Sequence, residues 1–352
     1  YSDNEFYIYD TKQQDTENYY RVLTGINRKG KAKTAVKDSY TIHTEISLGL
    51  VSKTDSKASN LVHLPTTQHF KKRKQECIAN TEVVMDYEYH FALCSIYFLD
   101  GLAYEEEPEK VAIEEKDKEK KEGEVEGKES ANIELEKKFV IIGGPKKNFL
   151  VLNSGTGILS SMFNINDNIT ITSVEKNPRL LGLGREYLGV NHGISSKILT
   201  EVNEYYSDYL VKHRKANKNK FDVVTLIAKH IENKGDKLSP PESFFKDQVL
   251  ESLFDSLTES GVLCLTIRAE EEKLFESAVE QLKKKFGSVY LLDNSDRLNR
   301  ILYVLKKPIG KDKILFLDVF QPNLKALSGL EKYQKIVGEE VQEIFFKKLV
   351  IL

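Results

Sequence analysis

Apolar and polar positions divide the chain into four segments: 1–104, 105–138, 139–307 and 308–352. In the first, runs rich in β-branched and aromatic residues predict strands over 6–9, 40–46 and 81–84. Residues 87–99 follow as a predicted helix, with Tyr89, Ala92, Leu93, Ile96 and Tyr97 on one face. The second segment is dense in charge of both signs. It carries too little apolar surface to offset its ordering entropy, which predicts a charged, flexible or loosely helical linker. In the third, the periodicity switches repeatedly between strand and helix. Strands are expected over 149–152, 169–174, 197–200, 221–227 and 261–267. Helices are expected over 157–163, 178–187, 203–213, 242–257 and 270–286. Repeated β-α units imply a parallel sheet with helices on both faces.

The third segment ends differently. Two strand patterns, 288–292 and 300–305, are joined by the short polar loop 293–299. That connection is too short for a crossover and predicts an antiparallel hairpin. A parallel sheet ending in a hairpin marks the class I methyltransferase arrangement, whereas an NAD-type Rossmann half carries another crossover helix. The expected fold is therefore α/β: a class I methyltransferase Rossmann-like sheet, preceded by a small β-rich N-terminal unit. The fourth segment is an extension with a strand pattern at 313–317 and an amphipathic stretch over 324–352. A helix over 333–346 is expected to dock on the sheet or on a partner.

Composition narrows the function classes. Net charge is −2 with 30% charged residues, which gives no bulk attraction to nucleic acid or to a membrane surface. The basic clusters 28–33 and 71–74 are read as solvated loops, with contact to RNA or an acidic partner as the alternative. Cys77, Cys94 and Cys264 are scattered without metal-ligand spacing, so no metal site is expected and a reducing, cytoplasmic setting fits them. No apolar run is long enough to span a bilayer. The sequence opens on Tyr1 rather than Met, which leaves open whether an N-terminal domain precedes it.

Candidate chemistry gathers after the strand over 149–152. Asn153, Ser154, Gly155, Thr156 and Gly157 form a short turn that leads into a helix. Such a turn lets backbone N–H groups approach a nucleoside ligand. Glu175 ends the next strand, 18 residues beyond Gly157. An acidic residue about 20 residues after the glycines is placed to bind a ribose diol. Glu201, at the end of the third strand, stands where a carboxylate reads an adenine amino group. With the terminal hairpin, these positions point to S-adenosyl-L-methionine, held by Asn153, Gly155, Gly157, Glu175 and Glu201. A two-glycine turn alone is a weak signal, and Glu175 alone could serve as a helix N-terminal charge.

The exit of the fourth strand is less well equipped. Amine methyltransferases place a polar group where Ile227 stands, and Asp222 lies early in the strand, at its far end from the site. Lys229 and His230 are the polar side chains near the exit. His230 is the candidate general base, with an unperturbed pKa suited to the task. A surface histidine after a strand is the plainer reading, and His90 in the 87–99 helix is read as structural.

Two stretches carry a resemblance. One is Ser239, Pro240, Pro241, Glu242, Ser243 and Phe244, followed by Leu250, Leu253, Leu257 and residues 261–266. The other is 286–290 followed by 299–303, and residues 81–84 and 89–92 extend it upstream. Together they resemble the C-terminal half of the methyltransferase-like protein 13 family. Those proteins are dual lysine and N-terminal methyltransferases of translation elongation factor 1-alpha, with a spermidine-synthase-like core. The resemblance implies methylation of an amine on that protein partner. The chain departs from the family at Asn153, where the family has Gly, at Glu201 and Val202 in place of an acidic-Gly pair, and at Ile227 and Lys229 in place of acidic residues. Either His230 or Glu204 substitutes as the base, or the domain is a pseudo-methyltransferase that binds or scaffolds. A polyamine aminopropyltransferase is the third reading, and Ile227 with Lys229 argues against it.

Overall fold

A computed structural model describes residues 6–12, 19–27, 39–52, 63–64, 75–84, 87–99, 105–106, 139–140, 146–165, 167–191, 194–195, 197–216, 219–228, 236–293, 299–308 and 331–352. The N-terminal unit is a five-stranded antiparallel sheet. Its strands are β1 (Phe6–Lys12), β2 (Tyr19–Asn27), β3 (Ser39–Ser52), β4 (His63–Leu64) and β5 (Gln75–Val84), in the order β1-β2-β3-β5-β4. The predicted strands fall inside β1, β3 and β5; β2 and β4 are additional. After β5, α1 (Tyr87–Leu93) tightens into a 3-10 turn (Cys94–Phe98) that is buried on all sides. Two short strands follow, β6 (Glu105–Glu106) and β7 (Phe139–Val140), paired antiparallel. The rest of the predicted linker, 107–138, lies outside the described residues.

The second sheet has nine strands, in the order β10-β9-β8-β11-β13-β15-β14-β16, with β12 beside β13. The parallel part comprises β8 (Lys147–Leu152), β9 (Ile169–Val174), β10 (Leu199–Val202), β11 (Phe221–Leu226) and β13 (Leu257–Ala269). All six residues of β11 are buried, as expected of a central parallel strand covered on both faces. β12 (Leu238–Ser239), β14 (Ser288–Leu292), β15 (Asn299–Leu305) and β16 (Leu349–Ile351) run antiparallel to their neighbours. The predicted hairpin is the β14–β15 pair, and β15 sits between β13 and β14. The chain thus has the α/β Rossmann-like sheet of class I methyltransferases.

Two apolar layers sandwich this sheet. Along β8, Phe149 and Val151 enter one layer, and Leu150 and Leu152 enter the other. The first layer holds α1, α2 (Ile158–Phe163) and α3 (Pro178–Leu188). The second holds α4 (Tyr206–Lys215), α5 (Asp247–Ser256) and α6 (Glu272–Lys285). The helix predicted over 242–257 breaks at Lys246, whose backbone is extended, so a short 3-10 turn (Glu242–Phe245) precedes α5.

The C-terminal helices α7 (Glu331–Val337) and α8 (Glu339–Lys348) close the first layer. Tyr333 and Phe345 pack edge-on or tilted against Tyr97 at 6.1 and 5.4 Å, and Phe345 meets Tyr303 edge-on at 5.4 Å. The stretch predicted as one helix over 333–346 is interrupted at Gly338, whose φ is 35°, and its two helices dock on the sheet of their own chain. The predicted strand over 313–317 lies outside the described residues.

Candidate functional site

The site is built on the β8–α2 turn. Asn153, Gly155 and Gly157 all have positive φ, at 52°, 57° and 83°. Glycine adopts that region freely, and asparagine is among the side chains that tolerate it best. Asn153 therefore keeps the backbone course that a glycine would give. The turn is tied to the neighbouring strand by the Ser154 N–H donating to Val174 O at 3.0 Å, and closed by the Gly157 N–H donating to Ser154 O at 2.9 Å. The space in front of Gly155 is open for 4 Å among the described residues. Ser154 Oγ is buried without a hydrogen-bond partner among them. A buried hydroxyl of that kind costs stability unless something supplies the missing bond.

Glu175 joins the turn directly. Oε2 accepts the Gly155 N–H at 2.8 Å, and Oε1 accepts the Asn177 N–H at 2.9 Å. The residue is only 2% exposed, so these charge-assisted bonds hold the carboxylate where it is. Asn177 in turn caps α3, its Oδ1 accepting the Arg179 N–H at 3.1 Å, with Pro178 at the first helical position. The sequence-predicted pair of turn and acid is thus one hydrogen-bonded unit.

Gly184 was missed by sequence reasoning. A Cβ there would stand 2.1 Å from Thr156 O, so only glycine lets α3 lie against the back of the turn. The available signal was a glycine inside an otherwise amphipathic helix, a position that is destabilising without a packing reason.

Glu201 lies on β10, with its oxygens engaged by Arg185 and by Asn191 Nδ2, the latter at 3.1 Å. Glu204 is ion-paired with Lys212. Asp222 sits at the start of β11, accepting the Asn148 N–H at 2.8 Å, with Lys147 Nζ at 3.9 Å, far from the turn as expected. Ile227 is buried in the first apolar layer. The next residue, Ala228, donates its N–H to Thr266 Oγ1 at 2.6 Å, which pins the β11 exit to β13. Lys229 and His230 lie outside the described residues. His90, half-buried, meets the Tyr87 ring edge-on at 6.2 Å.

A cavity of about 630 Å³ opens beyond β11, lined by Tyr205, Asp236, Lys237, Pro241, Glu242 and Glu271 among others. Lys176, next to Glu175, places its ammonium 5.3 Å from the centre of the Tyr205 ring, which links the cavity wall to the turn. Among the described residues, no three His, Cys, Asp or Glu side chains are grouped to hold a metal. No described helix is long and apolar enough to cross a membrane.

No protein-family model matches the chain, and a search of curated proteins gives no match. Solved structures similar to it include human methyltransferase-like protein 13 in complex with SAH, at 20% identity, 52% of this chain, 82% of that chain and a TM-score of 0.46. A spermidine synthase in complex with the transition-state analogue AdoDATO is similar at 15% identity, 97% of this chain, 84% of that chain and a TM-score of 0.47. The spermidine synthase of Thermotoga maritima is similar at 15% identity, 96% of this chain, 92% of that chain and a TM-score of 0.45.

Proposed function

We propose that the chain binds S-adenosyl-L-methionine in the β8–α2 turn and transfers its methyl group to an amine of a protein. The observation that carries this reading is the Glu175–Gly155 hydrogen bond, which makes the acid and the glycine turn one site. The open space at Gly155 and the unsatisfied Ser154 hydroxyl fit a polar ligand lying against the backbone. When bound, this donor supplies an electrophilic methyl group on a sulfonium. The turn holds the donor through backbone groups, with the Glu175 carboxylate placed at the ribose diol. The cavity beyond β11 takes the acceptor. Lys237 is paired with Glu271, and Asp236 and Glu242 leave the lining with an acidic excess that favours an amine, with Tyr205 as a wall. His230 takes the base role on sequence grounds. Resemblance supplies translation elongation factor 1-alpha as the partner and the cytoplasm as the place of action. The free, buried thiols of Cys94 and Cys264 fit that setting.

One observation favours a second reading. Ile227 fills the position of the usual polar group and is buried in the apolar layer, which suits a pseudo-methyltransferase that has lost the reaction and binds or scaffolds.

Calorimetric titration with S-adenosylmethionine and S-adenosylhomocysteine tests the donor site. Saturable binding is expected, and Glu175→Ala should weaken it by about tenfold or more, the loss of a charge-assisted hydrogen bond. Absence of binding at millimolar ligand would sink the enzyme reading and leave the scaffolding one. Methyl incorporation into purified elongation factor, with His230→Ala beside it, separates enzyme from pseudoenzyme.

A further inference from the structure

Glu201 has the place of an adenine-reading carboxylate, and its contacts run elsewhere. Oε1 accepts from Asn191 Nδ2 at 3.1 Å, and Oε2 is held by Arg185. Asn191 has a φ of 57°, which turns its side chain and its backbone toward α2 together. There Ser161 Oγ donates to Asn191 Oδ1 at 2.7 Å and accepts the Asn191 N–H at 2.6 Å. Ser161 also donates its own N–H to Gly157 O at 3.1 Å. The path ends on the glycine turn by a second route as well, since a Cβ at Gly157 would stand 2.8 Å from Asn191 Nδ2.

We infer that Glu201 is a positioning residue: through Asn191 and Ser161 it fixes the Gly157 side of the turn, and it does not read the ligand base. The inference rests on the donor-site reading above for its ligand test, though not for its structural test. Arg185 orients the carboxylate from the solvent side, with half of its side chain exposed. Asn191 is the necessary intermediate, because its amide donates to Glu201 with one end and accepts from Ser161 with the other. The turn is thereby anchored at both ends, by Glu175 at Gly155 and by the Glu201 relay at Gly157.

The structural test is hydrogen exchange on the ligand-free full chain. Glu201→Ala and Asn191→Gly should both speed exchange of the 155–158 amides, by about tenfold for the loss of one bond to a charged group. Glycine at 191 keeps the left-handed backbone, so that variant removes the relay without strain. Glu201→Gln keeps an acceptor for Asn191 and should restore near-wild-type exchange. The ligand test compares S-adenosylhomocysteine with S-inosylhomocysteine, which lacks the 6-amino group. The two alanine and glycine variants should weaken both by a similar factor, about tenfold, leaving their ratio unchanged. A Glu201→Ala variant that loses its preference for the adenosyl compound would overturn the inference, as would unchanged exchange in both variants. If the wild-type chain binds neither compound, the donor-site reading fails and the exchange rates still decide the relay.

Discussion

Asn153 shows that a side chain other than glycine can hold the β8–α2 turn. Against a family glycine it reads from the sequence as a loss. In the structure its φ of 52° is the conformation the glycine would have supplied. Asparagine bears that conformation at low cost because its short amide can bond locally, whereas a β-branched residue cannot. Asn153→Gly should therefore leave unfolding free energy within about 0.5 kcal/mol, while Asn153→Val should lower it by about 1–2 kcal/mol, both read from urea denaturation. That the glycine turn and Glu175 meet was legible from spacing alone, because strand, turn and acid recur at fixed chain distances. Gly184 and Asn191 were not. Their roles depend on contacts with residues 10 to 34 positions away on other elements, and no local pattern encodes them.

At the scale of elements, the N-terminal sheet is tied to α3 by an arginine that is itself held in a buried ion pair. Arg21 on β2 grips Asp10 on β1 at 2.7 and 3.1 Å, and its remaining nitrogen donates to Tyr187 O at 3.1 Å. Tyr187 lies in the last turn of α3, where a cation also meets the favourable end of the helix dipole. Both charged side chains are nearly inaccessible, at 2% and 8%. Arg21→Ala leaves Asp10 buried and uncompensated, so it should cost about 3–5 kcal/mol, whereas removing both charges together should cost far less. Chemical denaturation of the single and double variants checks this. The same pair explains why β2 escaped the sequence reading. An arginine within an apolar alternation argues for solvent, and only the partner from another strand reverses that argument. The β-α units of the second sheet were legible because each element buries enough of one face to impress its period on the sequence.

At the scale of the whole molecule, the first apolar layer contains acids that must stay protonated. Burial pushes the Cys94 and Cys264 thiols and the Tyr97, Tyr303 and Tyr333 phenols well above their ordinary values. Burial, with help from the Glu204 charge, raises Tyr209 to about 12. A raised pKa gives stability that is complete below the unfolded value and lost as pH rises toward the folded one. The ordinary values are 9.0 for these thiols and 10.0 for the phenols. Stability should thus hold level through neutral pH and fall progressively from about pH 9 upward. The absorbance step that belongs to the buried phenols should coincide with unfolding rather than precede it. Titration of absorbance and circular dichroism on one sample checks the order.

The β6–β7 pair has a consequence for engineering. Glu106 and Phe139 face each other in register across two strands, so the two residues that flank the 32-residue segment 107–138 adjoin. A segment with adjoining ends is a natural port. Replacing it with a two-residue Asn-Gly hairpin turn should raise stability by roughly 2 kcal/mol, the closure entropy of four halvings in loop length. Threading a compact reporter whose termini are close together through the same port should leave donor affinity unchanged. Such a fusion would be a fluorescent form of the chain with both of its ends still available.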